Sequence, residues 1–467
     1  VACAEHLAAG YVDHPPFSVW LLAIITTVFG KSIFAIRLIP ALLSGASLLF
    51  VGLTTLELGG RQKAAVIASL AVFVSGIHLS YSTFYSMNVI DLFLWSWALF
   101  VVVRLVKYQV PLYWIGLGVL LGIASLNKIA ALFFAAGVAV AVVATTERKW
   151  LTTRWPYMAG ALTLILFAPY VIWNMSNDWA HLEFIHNAST YKYGGMNPGV
   201  FWREQILINN PVALPVWLLG FVYFLTHRDN LPFRFLFIIF LTVVGILTIN
   251  WTSKPEYLAA IFPVLLMGGA LQIEAWTNHV RALYPVVVGL LLFGVALFPF
   301  AIPLLPPQHY ITYADFTGIK PRGVEGHELS EMPQFYADMF GWETQAAKVA
   351  LVYHSLSKAD QEKCAIFGDN YGRSGAIDYY ANKYRLPKSI GLHNNYWLWG
   401  PGNYNGEVMI ILSDQFGNKA ELFESVEDMG IIHSPYAMPY ENNLHIYVCR
   451  NLRIPVEELW VKVKRYI

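Results

Sequence analysis

Residues 10–30, GYVDHPPFSVWLLAIITTVFG, place an acid, an imidazole and a Pro-Pro pair directly in front of an apolar run. From there the chain stays largely apolar as far as Pro303, with short polar breaks and one long polar stretch, 174–210. Proline fixes its own φ and pushes the preceding residue toward extended geometry, so Pro15 and Pro16 hold Asp13 and His14 in one orientation ahead of the first helix. Two readings of the acid follow. Asp13 is either a solvated helix-start residue or a functional carboxylate at a membrane interface.

Composition points to the membrane class. Of 467 residues, 57% are hydrophobic and 13% charged, against roughly 25% charged in soluble domains. The 16 Trp and 26 Tyr suit side chains at lipid-headgroup level. A net charge of +1 argues against a nucleic-acid surface.

Apolar runs at 34–58, 64–85, 88–107, 111–126, 129–146, 157–173, 211–227, 232–250, 257–274 and 282–305 are candidate spans of an α-helical polytopic membrane protein. Residues Phe17 to Phe29 are too few to cross and suit a helix lying along the interface. Basic residues fall in alternate loops: Arg61 and Lys63, Arg104 and Lys107, Arg148 with Lys149 and Arg154, Arg228 and Arg234, then Arg281. The positive-inside rule sets those loops in the cytoplasm. Ten crossings then place residue 1, the polar stretch 174–210 and everything after Pro306 on the outer side. Residue 1 falls in an outer loop without an initiator Met or a signal-like run, so the expectation is that a preceding span is missing.

Character changes at Pro306 and Pro307. The division is into residues 1–305, multi-pass, and residues 306–467, a smaller mixed α/β extracytoplasmic domain. Within the second part, Gly406 to Leu412 reads as a buried strand, whereas Tyr371-Gly372 and Gly400-Pro401 read as turns. Cys364 and Cys449 lie on the expected oxidising side, so a disulfide between them is one arrangement; Cys3 is then free.

Candidate site residues gather on the same outer side: Asp13, His14, Asp91, Lys128, His181, Glu183, His186, Lys254, Glu256 and Tyr257. Asp91 and Lys128 are each tolerable near the end of a span without any function. Together, cations could hold a phosphate, and carboxylates and histidines could hold a metal or take a proton.

The stretch Gly10-Tyr11-Val12-Asp13-His14-Pro15-Pro16, followed by Phe29-Gly30 and Arg37-Leu38, resembles the bacterial dolichyl-phosphate-mannose-protein mannosyltransferase-like enzymes of glycosyltransferase family 39. That GT-C family is related to the lipid A aminoarabinose transferase. Asn127-Lys128, Trp173-Asn174, Asp178-Trp179, Lys254-Pro255-Glu256-Tyr257, Phe262-Pro263, Asn370-Tyr371-Gly372, Gly375-Ala376 and Trp399-Gly400-Pro401 follow in the matching order.

The resemblance implies a GT-C fold and transfer of a sugar from a polyprenyl-phosphate donor to a lipid, protein or glycan acceptor at the outer face of the inner membrane. It implies catalytic roles for Asp13, His14 and Asp91. Lys128, Lys254 and Tyr257 become the donor-phosphate ligands, and Asp13 with His186 the holders of a divalent metal. Relatives also carry an Asp-Glu pair ahead of the Pro-Pro motif, which this chain starts too late to contain; Glu5 lies too close to Asp13 to replace it. His14 stands where the family has Lys, which makes that charge pH-dependent.

The chemistry agrees. A sugar phosphate is already activated, cations stabilise its leaving group, and the acceptor needs a base. The alternatives are a non-catalytic binder of polyprenyl-phosphate sugars, or a transporter of them. A transporter is expected to gather its charges at midplane depth rather than at one interface.

Overall fold

The short apolar run after the Pro-Pro pair forms a helix, Phe17–Phe29, that ends at Gly30 with φ 72°. Gly30 takes the left-handed geometry without a Cβ penalty and frees the chain to turn into the next helix. The structure is a computed structural model and describes residues 1–192, 197–249, 253–320 and 328–467.

All ten candidate runs are helical over most of their length, but their ability to span differs. Ile33–Glu57, Met87–Tyr108, Trp155–Ser176, Leu231–Ile249 and Leu283–Phe300 are long and apolar enough to cross a bilayer. Three bent pairs, each a broken span or a re-entrant loop, bring the number to at most eight among the described residues: Gln62–Phe73 with Gly76–Ser82 at 67°, Ala131–Ala144 with Thr146–Thr152 at 103°, and Pro198–Ile208 with Pro211–Thr226 at 97°. Eight of the ten expected runs thus meet the length and composition of a span when each bent pair is taken as one, while Leu112–Asn127 and Pro263–Thr277 are shorter. Residue 250 of the run 232–250, and residues 193–196 of the polar stretch, lie outside the described residues.

The bends have local causes. Asn210 adopts φ 68° and caps Val212 with its side chain, and Pro211 cannot continue the preceding helix. Thr145 caps the Thr146–Thr152 turn in the same way. Leu112–Asn127 has 16 residues, about 24 Å of helix, which is short of a hydrocarbon core about 30 Å thick.

Met87–Tyr108 is the most enclosed of the long helices. Leu214–Thr226 and Pro263–Thr277 pack in near contact of their backbones. A Cβ at Gly269 would lie 1.7 Å from the Val216 carbonyl oxygen, so glycine is required there.

Beyond Phe300 the chain forms a five-stranded sheet of order β2-β1-β3-β5-β4. The strands are β1 (Cys364–Gly368), β2 (Ser389–Gly391), β3 (Val408–Ser413), β4 (Phe423–Ile432) and β5 (Leu444–Leu452). β1 pairs in parallel with β2 and β3, while β5 runs antiparallel to β3 and β4. The expected strand is β3, buried at all six positions because both sheet faces are covered.

One expectation fails here, and the open question of the cysteines is resolved. Tyr371-Gly372 is not a turn; it opens the helix Tyr371–Tyr384, whose first turn is capped by Asn370 Oδ1 accepting from Arg373 N at 2.9 Å. Gly400, with φ 86°, ends a turn closed by its N–H donating to Trp397 O at 3.0 Å. Nor are Cys364 and Cys449 bridged. Cys364 lies opposite Val408 on β1, Cys449 opposite Met409 on β5, and β3 runs between them. Consecutive β3 residues point to opposite faces, so one thiol joins the core of Ile366 and Ile410, the other that of Ile411 and Phe423. Burial raises both thiols to about 12.

Candidate functional site

The loop that carries Asp13 is built by its neighbours. A Cβ at Gly10 would fall 2.5 Å from the Trp173 ring, so glycine lets the loop lie flat on that indole. Tyr11 is buried; its backbone N–H donates to His14 O at 3.1 Å and closes the loop on itself. Its hydroxyl accepts from Ala8 N at 3.1 Å.

Val12 is fully buried between two parts of the chain far from it in sequence. Its N–H donates to Asn395 Oδ1 at 3.2 Å, and its carbonyl lies 3.0 Å from His181 Nδ1. Asn395 Nδ2 donates in turn to Asp13 Oδ1 at 3.2 Å. The helix beginning at Phe17 has Pro16 at its N-cap and no side-chain cap bond, so Asp13 is not a helix cap. His14 holds Pro15 O through Nδ1 at 2.9 Å and sets Nε2 3.8 Å from Asp13 Oδ1.

His181 is buried, and burial holds its imidazole below the ordinary value. His186, five residues on in the same Ala180–Asn187 helix, is exposed. Five residues correspond to about 140° of rotation at 3.6 residues per turn, so the two point different ways. Among the described residues no group of three His, Cys, Asp or Glu side chains converges where a metal ion could sit. The expected metal pair Asp13 and His186 is therefore not part of a three-ligand centre among the described residues.

A second constellation lies at the ends of the spans. Lys128 terminates Leu112–Asn127 in extended geometry, which projects it off the helix. Its Nζ donates to Asn88 Oδ1 at 3.0 Å, lies 3.7 Å from Asp91 Oδ2, and sits 5.0 Å from the centre of the Tyr257 ring. Asn127 Nδ2 donates to Met87 O at 2.8 Å and ties the two helix ends together. Lys254 Nζ is 4.0 Å from Glu256 Oε1. Asp91 is 4% exposed, and its Oδ1 has no hydrogen-bond partner among the described residues. An unmatched carboxylate oxygen at this depth is costly unless a ligand or water completes it.

The C-terminal domain is docked over these elements. Lys388 pairs with Glu5 at 2.7 Å, and Lys31 pairs with the same carboxylate. Tyr379 donates its hydroxyl to Lys31 O at 2.7 Å, and Lys464 pairs with Glu183 at 2.7 Å. Between the parts lies a cavity of about 700 Å³, lined by Asp13, Arg37 and Tyr85 on one side and by Trp342, Tyr371 and Trp399 on the other. Asn395, Asn88 and Tyr85 carry no signal in the sequence that would have singled them out.

With this geometry in place, residues 13–173 match the family described as dolichyl-phosphate-mannose-protein mannosyltransferase. The mannosyltransferase family is the one the first loop resembles. Its matched segment contains Asp13, His14, Asp91 and Lys128. The lipid A galacturonosyltransferase RgtD of Rhizobium johnstonii is 24% identical over 318 residues, covering 67% of this chain and 66% of the relative, just under two thirds of its length. ArnT from Cupriavidus metallidurans superposes in its apo state with a TM-score of 0.62 at 13% identity, over 94% of this chain and 88% of ArnT. Its structure bound to undecaprenyl phosphate also gives 0.62, at 12% identity and with the same coverage. These likenesses establish an ArnT-like, mostly helical fold with a small mixed-sheet domain at its C-terminal end.

Proposed function

We propose that this protein transfers a hexosyl group from a polyprenyl-phosphate donor to a hydroxyl or amine of a lipid, protein or glycan acceptor. The observation that carries the reading is Lys128, held by Asn88 and Asp91 against the Tyr257 ring at the ends of the membrane helices. A fixed ammonium at that depth suits a lipid phosphate, whose prenyl chain can lie among the apolar helices. The solved relative bound to undecaprenyl phosphate supports the same donor class.

In the reaction, the acceptor oxygen or nitrogen attacks the anomeric carbon and the bond from that carbon to the phosphate oxygen breaks. The leaving polyprenyl phosphate takes the electron pair, and Lys128, Lys254, His14 and the Tyr257 hydroxyl stabilise its charge. The acceptor proton passes to the Asp13 carboxylate, which faces the cavity. Asp91 acts as a positioning residue through Lys128.

Transfer of radiolabelled sugar from polyprenyl-phosphate donors by the full-length protein in proteoliposomes tests this. Label transfer that Lys128→Met and Lys254→Met both abolish supports it; absence of transfer with every donor offered sinks it. The membrane assigned is the bacterial inner membrane, with the C-terminal domain outside the cytoplasm. Asn418 is exposed, so Asn418→Cys in intact spheroplasts should react with an impermeant maleimide, and protection would reverse the orientation.

A further inference from the structure

The cavity between the first loop and the C-terminal domain differs in chemistry from the phosphate cradle. Its charged side chains are three carboxylates, Asp13, Asp338 and Glu343, against one guanidinium, Arg37, while Lys128 and Lys254 are not among its walls. Glu343 is itself paired with Lys383, so a phosphate would find one guanidinium there and neither lysine of the cradle. The remaining surface is aromatic and amide. Tyr371 is 51% exposed at the first position of its helix, with its ring centre 4.7 Å from that of His393. Trp399 stacks on His6 at 4.3 Å, which fixes the indole at the edge of the cavity.

Between the rings run Asn394 and Asn395. Asn394 has φ 50°, and its side chain accepts from Ile467 N at 3.1 Å. Asn395 spans to Val12 and Asp13. His393 is 7% exposed; its Nε2 holds Ile467 O at 2.6 Å, and its Nδ1 has no partner among the described residues. Flat ring faces beside fixed amides and carboxylates suit a pyranose, which offers apolar C–H faces and a rim of hydroxyls.

We propose that this cavity is the acceptor site and that it binds a neutral or cationic saccharide through Tyr371, Trp399 and Asn395, apart from the donor phosphate. The proposal rests on the transferase reading above and names which substrate the C-terminal domain recognises. Asp13 is the shared residue: Asn395 holds its carboxylate at the cavity wall, where a bound sugar hydroxyl can reach it. The domain thus does more than cover the site. It builds one wall of it.

The test uses the full-length protein in nanodiscs, with methyl glycosides of glucose, galactose and glucosamine as saccharide probes and undecaprenyl phosphate as donor probe. Saturation-transfer NMR reads saccharide binding, and thermal stabilisation reads the lipid phosphate. The expected result is saccharide binding in wild type, weakened about tenfold in Tyr371→Ala and Trp399→Ala and recovered in Trp399→Phe. Stabilisation by undecaprenyl phosphate should stay the same in all of them, which a merely structural defect would not leave intact. Displacement of the saccharide by undecaprenyl phosphate, or binding that ignores both substitutions, overturns the proposal, as does no saccharide binding. Saccharide binding without any response to undecaprenyl phosphate refutes the donor assignment instead and leaves the cavity as a glycan site.

Discussion

Asn395 donates its side-chain amide to Asp13 at 3.2 Å while its oxygen accepts from Val12 N at the same distance. One side chain of the C-terminal domain thus fixes both the backbone and the carboxylate of the first loop.

Asn395→Ala should lower transfer by about 10- to 100-fold, since hydrogen bonds to charged groups contribute about 1.5–3 kcal/mol. Asn395→Asp should be worse, because it sets a second carboxylate beside Asp13. Steady-state kinetics read against thermal midpoints separate this loss from unfolding.

Asp13→Asn is expected to leave the thermal midpoint almost unchanged, because the helix at Phe17 draws no cap from it. Transfer should fall by orders of magnitude, about 10²–10³ by analogy with loss of other transition-state groups. Wild-type rates in a full-length Asp13→Asn protein would reduce Asp13 to a scaffold residue.

Lys128→Met strands the buried Asp91 carboxylate and should destabilise the protein by about 3–5 kcal/mol. Asp91→Asn leaves Lys128 with Asn88 and should be milder. The double variant should regain stability without regaining donor binding. Equal stability of the two single variants would show that the pair is not coupled.

His393 gives the docked domain an acid-sensitive point. Burial lowers its imidazole from 6.5 to about 4. Between those values the unfolded chain binds a proton that the folded one does not, so stability is complete above pH 6.5 and falls as pH drops toward 4. The loss approaches about 3 kcal/mol. Thermal midpoints of wild type and His393→Gln from pH 7.5 to 4.5 should diverge at the acid end, and parallel curves would contradict this origin.

The three cysteines should all alkylate after denaturation without reductant, since none is bridged. In the folded protein Cys364 and Cys449 should resist alkylation at pH 7.5, being buried with raised thiols. Two thiols missing after denaturation would restore the bridge.

The parts legible in the sequence were those that local patterning decides. Phe17–Phe29 was bounded by Pro16 and Gly30, and β3 was an uninterrupted apolar run between polar flanks. Lys128, Asp91 and Tyr257 stood out because polar residues are conspicuous at the ends of apolar runs, and the structure brings them together. What lay hidden depends on facing and register. His181 rather than His186 meets the loop because the helix turns that face inward. The cysteines sit two strands apart on opposite faces, which no spacing in a chain reveals. The bend at Ser75 breaks the run 64–85, whose hydropathy alone reads as continuous.

The clasp between Asp13 and Asn395 joins residues 382 positions apart. During synthesis the first loop leaves the ribosome long before its partner exists, and His393 and Asn394 are themselves secured by Ile467. The carboxylate therefore takes its final pose late in biogenesis, after the distant domain has folded. A nascent chain halted midway would hold its helices without the contact that fixes Asp13. Maturation is thereby timed by the order in which the polypeptide is made.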